Sequence, residues 1–258
     1  MDWLIKILIN KVPRPQLIFW SKVFRPIIDF YFRGNKFYDP INNKSYRKFL
    51  PYGYVNQRLN ALSPGTLSLE RHRLLWLYLK NKTDFFNSKL KILHIAPEQA
   101  FFKVLKSLKN DFYITFDLHS PLADVKGDIC DMPFEDNYFD FILCNHVLEH
   151  VENDKKAMKE LYRVLGKNGT AILQVPIDLE KKETYEDLNV KTKKERMEKF
   201  GQYDHVRIYG LDYFSRLEKV GFHVKKNKYA TSFNKDEIKK MSIVENEIIP
   251  VCKKTNLK

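Results

Sequence analysis

Residues 139–151 read FDFILCNHVLEHV, an apolar run that ends in polar side chains. The run from Phe139 to Cys144 has the length and apolar content of a buried strand. Asn145 and His146 come directly after it, so the sequence places these two side chains at the carboxyl end of a strand. This stretch predicts a buried strand of a sheet, with polar side chains at its carboxyl end that can bind a ligand or take part in a reaction.

Strands and helices alternate on both sides of this stretch. Strands are predicted over 90–95, 112–116, 170–175, 222–224 and 248–251, and helices over 101–108, 155–165 and 211–220. Gly166 and Gly169 are expected to end the second of these helices. Because strands separated by helices form parallel sheets with βαβ crossovers, the sequence predicts an α/β fold with a doubly wound, mainly parallel sheet and helices on both faces.

The chain is expected to divide into two parts. Residues 1–85 are predicted to form a small helical and ribbon-like extension, with basic amphipathic helices in 1–36 and a turn-rich segment after them. Residues 86–258 are predicted to form the α/β domain, with a charged cap inserted at about 178–205.

Two turns of the extension have the spacing of zinc-ribbon ligands. They are Asp39-Pro40-Ile41-Asn42 and Ser63-Pro64-Gly65-Thr66. They resemble a zinc ribbon whose four ligand positions hold Asp39, Asn42, Ser63 and Thr66. Since no thiolate remains, no structural zinc is expected there, and two ordinary turns are the alternative.

Composition describes a folded, basic chain. The 258 residues carry a formal net charge of +13, which favours anionic partners, although a lysine-rich, soluble surface explains it equally well. Three scattered cysteines indicate a reducing compartment. We expect a cytoplasmic protein, with packing of residues 1–36 on the main domain favoured over peripheral contact with an anionic membrane.

A ligand on a doubly wound sheet binds at the carboxyl ends of the strands, where the strand order reverses. An acidic side chain after the second strand is expected to bind a ribose diol, and one after the third to accept from the exocyclic amine of adenine. The residues at the four strand ends are Ala96, Pro97 and Glu98; Asp117 and Leu118; Asp128 and Ile129; and Asn145 and His146.

Three motifs together resemble a known family. They are GDICDMPF (127–134), FDFILCNHVLEHV (139–151) and ELYRVLGKNGT (160–170). They are similar to the class I S-adenosylmethionine-dependent methyltransferases, in particular the branch named methyltransferase type 11, and the resemblance covers roughly residues 89–226. It implies a Rossmann-like fold, S-adenosyl-L-methionine as cofactor, and methyl transfer.

The first motif departs from the family pattern. The family has an acidic residue on the first strand and a glycine-rich turn after it, whereas this chain has His94 followed by APEQA (96–100). Glu98 is expected to replace the missing carboxylate and to bind the ammonium group of the ligand. The missing glycines also argue against a nicotinamide enzyme. The alternative is an impaired site on a non-catalytic binding or membrane-associated scaffold.

His146 is the predicted catalytic residue, as a general base for a hydroxyl or amine acceptor. His205 is the second candidate. His146, Glu149, His150 and His205 are also spaced for a metal, which is similar to the E-x-x-E-H arrangement with a later histidine in small-RNA 2′-O-methyltransferases. However, His146 replaces the first glutamate of that arrangement, and LEH is common in family members without metal. We therefore expect no metal.

The acceptor is not specified by any motif. A small metabolite or a lipid or glycan precursor is the expected partner, because no recognised RNA-binding module is present. An RNA acceptor remains an alternative on the strength of the net charge. The oligomeric state is not predicted.

Overall fold

The computed structural model describes residues 24, 26–53, 57–86, 89–108 and 112–254. The strands are β1 (Arg33–Asp39), β2 (Lys44–Tyr46), β3 (Leu50–Tyr52), β4 (Arg58–Leu62), β5 (Ile92–Ile95), β6 (Tyr113–Asp117), β7 (Val125–Lys126), β8 (Phe139–Asn145), β9 (Leu165–Gln174), β10 (Tyr185–Glu186), β11 (Arg207–Ile208), β12 (His223–Asn227) and β13 (Ile249–Lys253). The helices are α1 (Glu70–Lys82), α2 (Gln99–Leu108), α3 (Asp154–Val164), α4 (Lys193–Phe200), α5 (Tyr213–Lys219) and α6 (Lys235–Met241). Residues 26–31 are helical as well.

The central sheet contains seven strands in the order β12-β13-β9-β8-β5-β6-β7. β5 pairs in parallel with both β6 and β8, and β8 pairs in parallel with β9, whereas β13 runs antiparallel to β9 and β12. All four residues of β5 are buried, as expected for a parallel strand covered on both faces, and His94 is its one polar residue. The predicted α/β fold with a doubly wound, mainly parallel sheet is confirmed. The strand order reverses between β5 and β8, which is where such sheets bind ligands.

The beginning of β9 differs from the prediction. We expected Gly166 and Gly169 to end a helix, but α3 already ends at Val164 and both glycines lie within β9. Leu165 is extended and pairs with Phe139, so pairing with β8 continues across a bulge. A Cβ on Gly166 would lie 3.1 Å from the carbonyl oxygen of Phe139. Close strand contact, rather than a helix cap, therefore explains this glycine.

The smaller compact unit comprises Met1–Lys82, Gln99–Phe101 and Ala230–Asn246. The sequence had assigned the last of these segments to the α/β domain. Arg73, which is fully buried, explains the difference, since its guanidinium donates to the carbonyl oxygens of Met241 and Ser242 at 2.6 Å each. It also donates to the carbonyl oxygen of Ala61 at 3.0 Å. One side chain thus joins segments far apart in the sequence, which a local pattern does not reveal.

The two ribbon-like turns lie at the ends of β1 and β4. Asp39 accepts hydrogen bonds from the Thr66 hydroxyl and from the backbone N–H of Ile41. Asn42 donates to the Tyr46 hydroxyl at 2.7 Å, and Ser63 is buried in the same unit. A direct carboxylate–hydroxyl hydrogen bond therefore joins the two turns through Asp39 and Thr66, two of the four ribbon-like positions.

The region expected to be a cap contains β10 and α4. β10 pairs with β11 in an antiparallel ladder, Tyr185 opposite Ile208 and Glu186 opposite Arg207. Helix α4 begins with a capping box between Thr192 and Glu195, which explains how so charged a segment folds. Most of the expected basic helices in residues 1–36 lie outside the described residues. Within the described ranges, every helix is too short or too polar to cross a membrane.

Arg163 in the ELYRVL motif has a structural role. Its guanidinium donates to the carbonyl oxygens of Met132 and Phe134 and to the carboxylates of Glu160 and Asp136, at 2.7–2.9 Å. These hydrogen bonds connect α3 to the loop after β7 and lower the pKa of Glu160, chiefly through the contact with Arg163. The motif therefore fixes the loop after β7 to α3.

Replacing Arg163 with methionine is expected to lower the free energy of unfolding by about 2–3 kcal/mol, because two backbone carbonyls and two carboxylates lose their donor. Urea unfolding measures this difference. Lys159→Met, at an exposed position of the same helix, is the control and should change stability by less than about 0.5 kcal/mol. Equal stability of the two variants would contradict the structural role.

Candidate functional site

A cavity of about 540 Å³ lies at the carboxyl ends of β5, β6 and β7. Its apolar wall includes Ile95, Phe116, Val147 and Val151. Five of the predicted ligand-binding residues line it: Ala96, Asp117, Leu118, Asp128 and Ile129. A mainly apolar pocket with a few polar groups is typical of a site for a small organic ligand.

The backbone at Ala96 and Gly127 shapes this cavity. Ala96 has a φ of 48°, in the left-handed region that favours glycine, and its N–H donates to the carbonyl oxygen of Phe116 at 2.8 Å. The chain therefore makes the sharp turn after β5 without the usual glycine. A Cβ on Gly127 would lie 2.9 Å from the Phe116 ring, so a side chain there would displace the cavity wall.

Asp117 ends β6 and organises the loop that follows. Its Oδ1 accepts from the backbone N–H of His119 at 2.7 Å and of Ser120 at 2.6 Å. Those two bonds use the acceptor capacity of Oδ1, so Oδ2 is the oxygen that can accept from a ligand. Asp128 has a similar turn, in which Oδ1 accepts from the N–H of Cys130 at 2.8 Å. Both carboxylates are thus held at the edge of the cavity by local backbone bonds.

His94 occupies the strand position where the family has an acidic residue. It is fully buried, with Nδ1 2.6 Å from the Tyr113 hydroxyl and Nε2 2.6 Å from Oε2 of Glu98. Burial raises the pKa of Tyr113, so the phenol keeps its proton and donates to Nδ1. His94 then donates from Nε2 to Glu98. A carboxylate is therefore present beside β5, but on the turn into α2 instead of on the strand.

Three predicted ligand-binding residues are not among the described residues that line the cavity: Pro97, Glu98 and Asn145. Asn145 nevertheless has an unusual environment. It is 4 % exposed, and neither Oδ1 nor Nδ2 has a hydrogen-bond partner among the described residues. A buried amide without hydrogen-bond partners lowers the stability of the folded state. We therefore expect this side chain to hydrogen-bond to a ligand or a water molecule.

His146 follows Asn145 in the left-handed region, with a φ of 53°. Its Nδ1 lies 3.2 Å from Oε1 of Glu149, and its Nε2 is buried without a hydrogen-bond partner among the described residues. A carboxylate at Nδ1 favours the tautomer with the proton on Nδ1, which leaves the lone pair on Nε2. His146 is not among the described residues that line the cavity, but its neighbour Val147 is.

The structure brings His205 to the same strand end. The backbone N–H of Val206 donates to the carbonyl oxygen of Glu149 at 2.9 Å, and the rings of His150 and His205 lie 4.8 Å apart. Burial lowers the pKa of His205. Burial alone would raise the pKa of Glu149, but His146 and His150 outweigh that effect and lower it.

Arg207 holds this arrangement together, and sequence reasoning did not identify it. The side chain is 3 % exposed and donates to the carbonyl oxygens of Leu148 at 2.8 Å, Glu152 at 2.9 Å and Val151. The only sequence signal was its place in YDHVR (203–207), two residues after a candidate histidine.

A second cavity of about 500 Å³ lies beside the predicted cap. Charges of both signs line it, from Glu152, Glu186, Asp187, Lys191, Arg196 and Arg207. Glu152 also lines the first cavity, so the two cavities share a boundary. The arrangement offers space for a second molecule beside the first.

Comparisons with known proteins agree with the geometry. Residues 90–173 match a family model described as a methyltransferase domain. An uncharacterized protein of Methanocaldococcus jannaschii is 39% identical over 154 residues, which cover 56% of this chain and 66% of that protein. Ajmaline N-methyltransferase of Rauvolfia serpentina is 31% identical over 97 residues, or 38% of this chain and 30% of that enzyme. Sterol 4-C-methyltransferase of Caenorhabditis elegans is 31% identical over 109 residues, or 40% of this chain and 31% of that enzyme.

The matched segments span less than two thirds of the length of each of these relatives. The family model covers β5 to β8 and nearly all of β9, and every described residue that lines the larger cavity lies within it. Over residues 90–173, the chain therefore carries a methyltransferase domain, which agrees with its resemblance to the class I S-adenosylmethionine-dependent methyltransferases.

Proposed function

We propose that this chain binds S-adenosylmethionine in the larger cavity and transfers its methyl group to a hydroxyl or amine of a small acceptor. The observation that carries the proposal is the cavity itself, which combines an apolar wall with Asp117 and Asp128 at the carboxyl ends of the strands. These are the two acceptors that a ribose diol and an adenine amine require.

The residues present fit the cofactor. Gly127 leaves room where a Cβ would meet Phe116, and Asn145 has a buried amide that lacks a partner within the described chain. Glu98, oriented by His94, is the carboxylate nearest to the turn after β5 and is proposed to bind an ammonium group. When bound, S-adenosylmethionine supplies an electrophilic methyl group on a sulfonium.

His146 is proposed to take the proton of the acceptor through Nε2. Its contact with Glu149 supports this role, because a carboxylate at Nδ1 keeps the lone pair on the opposite nitrogen. The rest of the rate enhancement is proposed to come from alignment of the acceptor with the methyl carbon.

The acceptor is proposed to be a small metabolite or a lipid or glycan precursor that binds in the second cavity, in a cytoplasmic setting. The size of that cavity and its mixed charges support a small polar molecule. In the alternative hypothesis, the protein binds S-adenosylmethionine in the same cavity but does not transfer its methyl group.

An acceptor screen tests the proposal. Purified protein is incubated with S-adenosylmethionine and fractionated small-molecule extracts, and formation of S-adenosylhomocysteine is measured. We expect at least one fraction to support turnover by the wild type, and turnover by Asp117→Asn to be about tenfold lower when the cofactor is below saturation. Tight cofactor binding without turnover in any fraction would favour the non-catalytic alternative.

Asp128→Ala is expected to weaken cofactor binding less than a change at Asp117 does, because a single base contact is lost. It should also relax discrimination for adenine. Calorimetric titration with S-adenosylmethionine and with its inosine analogue measures both effects. Equal discrimination by the variant and the wild type would remove Asp128 from the base-binding site.

A further inference from the structure

We infer that Glu149, His150 and His205 form a binding site for a divalent transition-metal ion. Each residue offers one ligand atom, and these atoms all lie within 4.8 Å of one another. The group is compact enough for small side-chain adjustments to bring all three atoms to a single ion. From the sequence alone we expected no metal here.

The burial of the Glu149 carboxylate is the strongest evidence for this site. It is 1 % exposed, and neither of its oxygens accepts a hydrogen bond from the described part of the chain. A buried carboxylate in this state is costly unless a cation or donors compensate it. His146 approaches Oε1 at 3.2 Å and stabilises the negative charge without the alignment of a hydrogen bond, so both oxygens remain available to a metal ion.

His150 is oriented as metal ligands commonly are. Nδ1 of His150 lies 3.1 Å from the backbone carbonyl oxygen of Asp204. A carbonyl oxygen can only accept, so His150 donates from Nδ1 and keeps its lone pair on Nε2. A ligand histidine that donates its other N–H to a carbonyl is the usual outer-shell arrangement.

The backbone that carries these side chains is held in place independently of a metal. The Val206 N–H joins the His205 segment to the carbonyl oxygen of Glu149, and Arg207 donates to the carbonyl oxygens of Leu148 and Glu152. Preorganised side chains lose little conformational entropy when an ion binds. The backbone of the site is therefore in place before metal binding.

The donor set defines the class of ion. Two imidazole nitrogens and one carboxylate suit Zn²⁺, Fe²⁺ and related first-row ions, whereas Mg²⁺ and Ca²⁺ prefer oxygen ligands. Three protein ligands leave coordination positions open for water or another oxygen. Because His150 lines the larger cavity, those positions adjoin the proposed cofactor site. Coordination of an acceptor oxygen by the ion would depend on the proposed function, whereas metal binding itself does not depend on it.

The test uses tag-free, full-length protein stripped with a chelator and then dialysed against Zn²⁺. We expect one bound equivalent, with at least a hundredfold weaker binding in Glu149→Gln and in His205→Asn. His223→Asn, at an exposed histidine of β12, and Cys130→Ser are the controls and should retain the wild-type affinity. If a buried variant fails to fold, His150→Asn replaces it, since that side chain is exposed.

Absence of a bound equivalent, or equal affinity in Glu149→Gln and the wild type, would overturn the inference. S-adenosylmethionine is titrated into the same metal-free samples. Cofactor binding without metal binding would contradict this inference alone, and metal binding without cofactor binding would contradict the proposed function alone.

Discussion

Replacing Asp117 with asparagine is expected to weaken S-adenosylmethionine binding by tenfold or more. Asparagine keeps an oxygen that can accept from the N–H groups of His119 and Ser120, so the loop after β6 is retained. It replaces the ligand-facing oxygen with a donor, which leaves ribose hydroxyls without their acceptor. Tenfold corresponds to about 1.4 kcal/mol, close to the lower limit for a hydrogen bond to a charged group.

Calorimetric titration measures this change, and Asp131→Asn provides the matched control. Asp131 is an exposed carboxylate in the loop after β7, and it is not among the described residues that line the cavity. The control should bind the cofactor as the wild type does. Wild-type affinity in a folded Asp117→Asn variant would show that this carboxylate does not bind the ribose.

Replacing His146 is expected to have the largest effect on turnover. His146→Ala and His146→Asn should both lower turnover by roughly a hundredfold or more while cofactor affinity stays nearly intact, because both remove the proton acceptor. Asparagine tolerates the left-handed backbone found at this position, so the second variant separates loss of the imidazole from backbone strain.

Turnover is measured with an acceptor from the screen, and His223→Asn serves as the control at an exposed position. If His146→Asn retains most of the activity, then His146 only shapes the site. Alignment of the acceptor would then be the main source of catalysis, and His205 would be the next candidate base.

Periodicity and strand-end chemistry predicted the sheet and much of the cavity. Two signals are local in the sequence: the apolar run before Asn145 and the acidic residue that follows each of two other strands. Parallel strands then bring their carboxyl ends to one edge of a sheet. Asp117 and Asp128 could therefore be placed beside each other before any contact was known.

Features that depend on distant contacts could not be predicted. Arg73 joins Met241 to α1, and Arg207 fixes the loop that carries Glu149, but a sequence pattern gives only an isolated arginine in each case. Similarly, the two glycines before Thr170 resembled a helix end because the pairing of β9 with β8 is not encoded locally.

Binding of S-adenosylmethionine to the wild-type chain is the measurement that tests the central claim most directly. Calorimetric titration should give one site per chain with a dissociation constant of about 100 μM or less, or at least about 5.5 kcal/mol of binding free energy. Asp117→Asn should weaken that binding, and Asp131→Asn should not. No heat of binding and no thermal stabilisation by the cofactor at about ten times that concentration would contradict the claim.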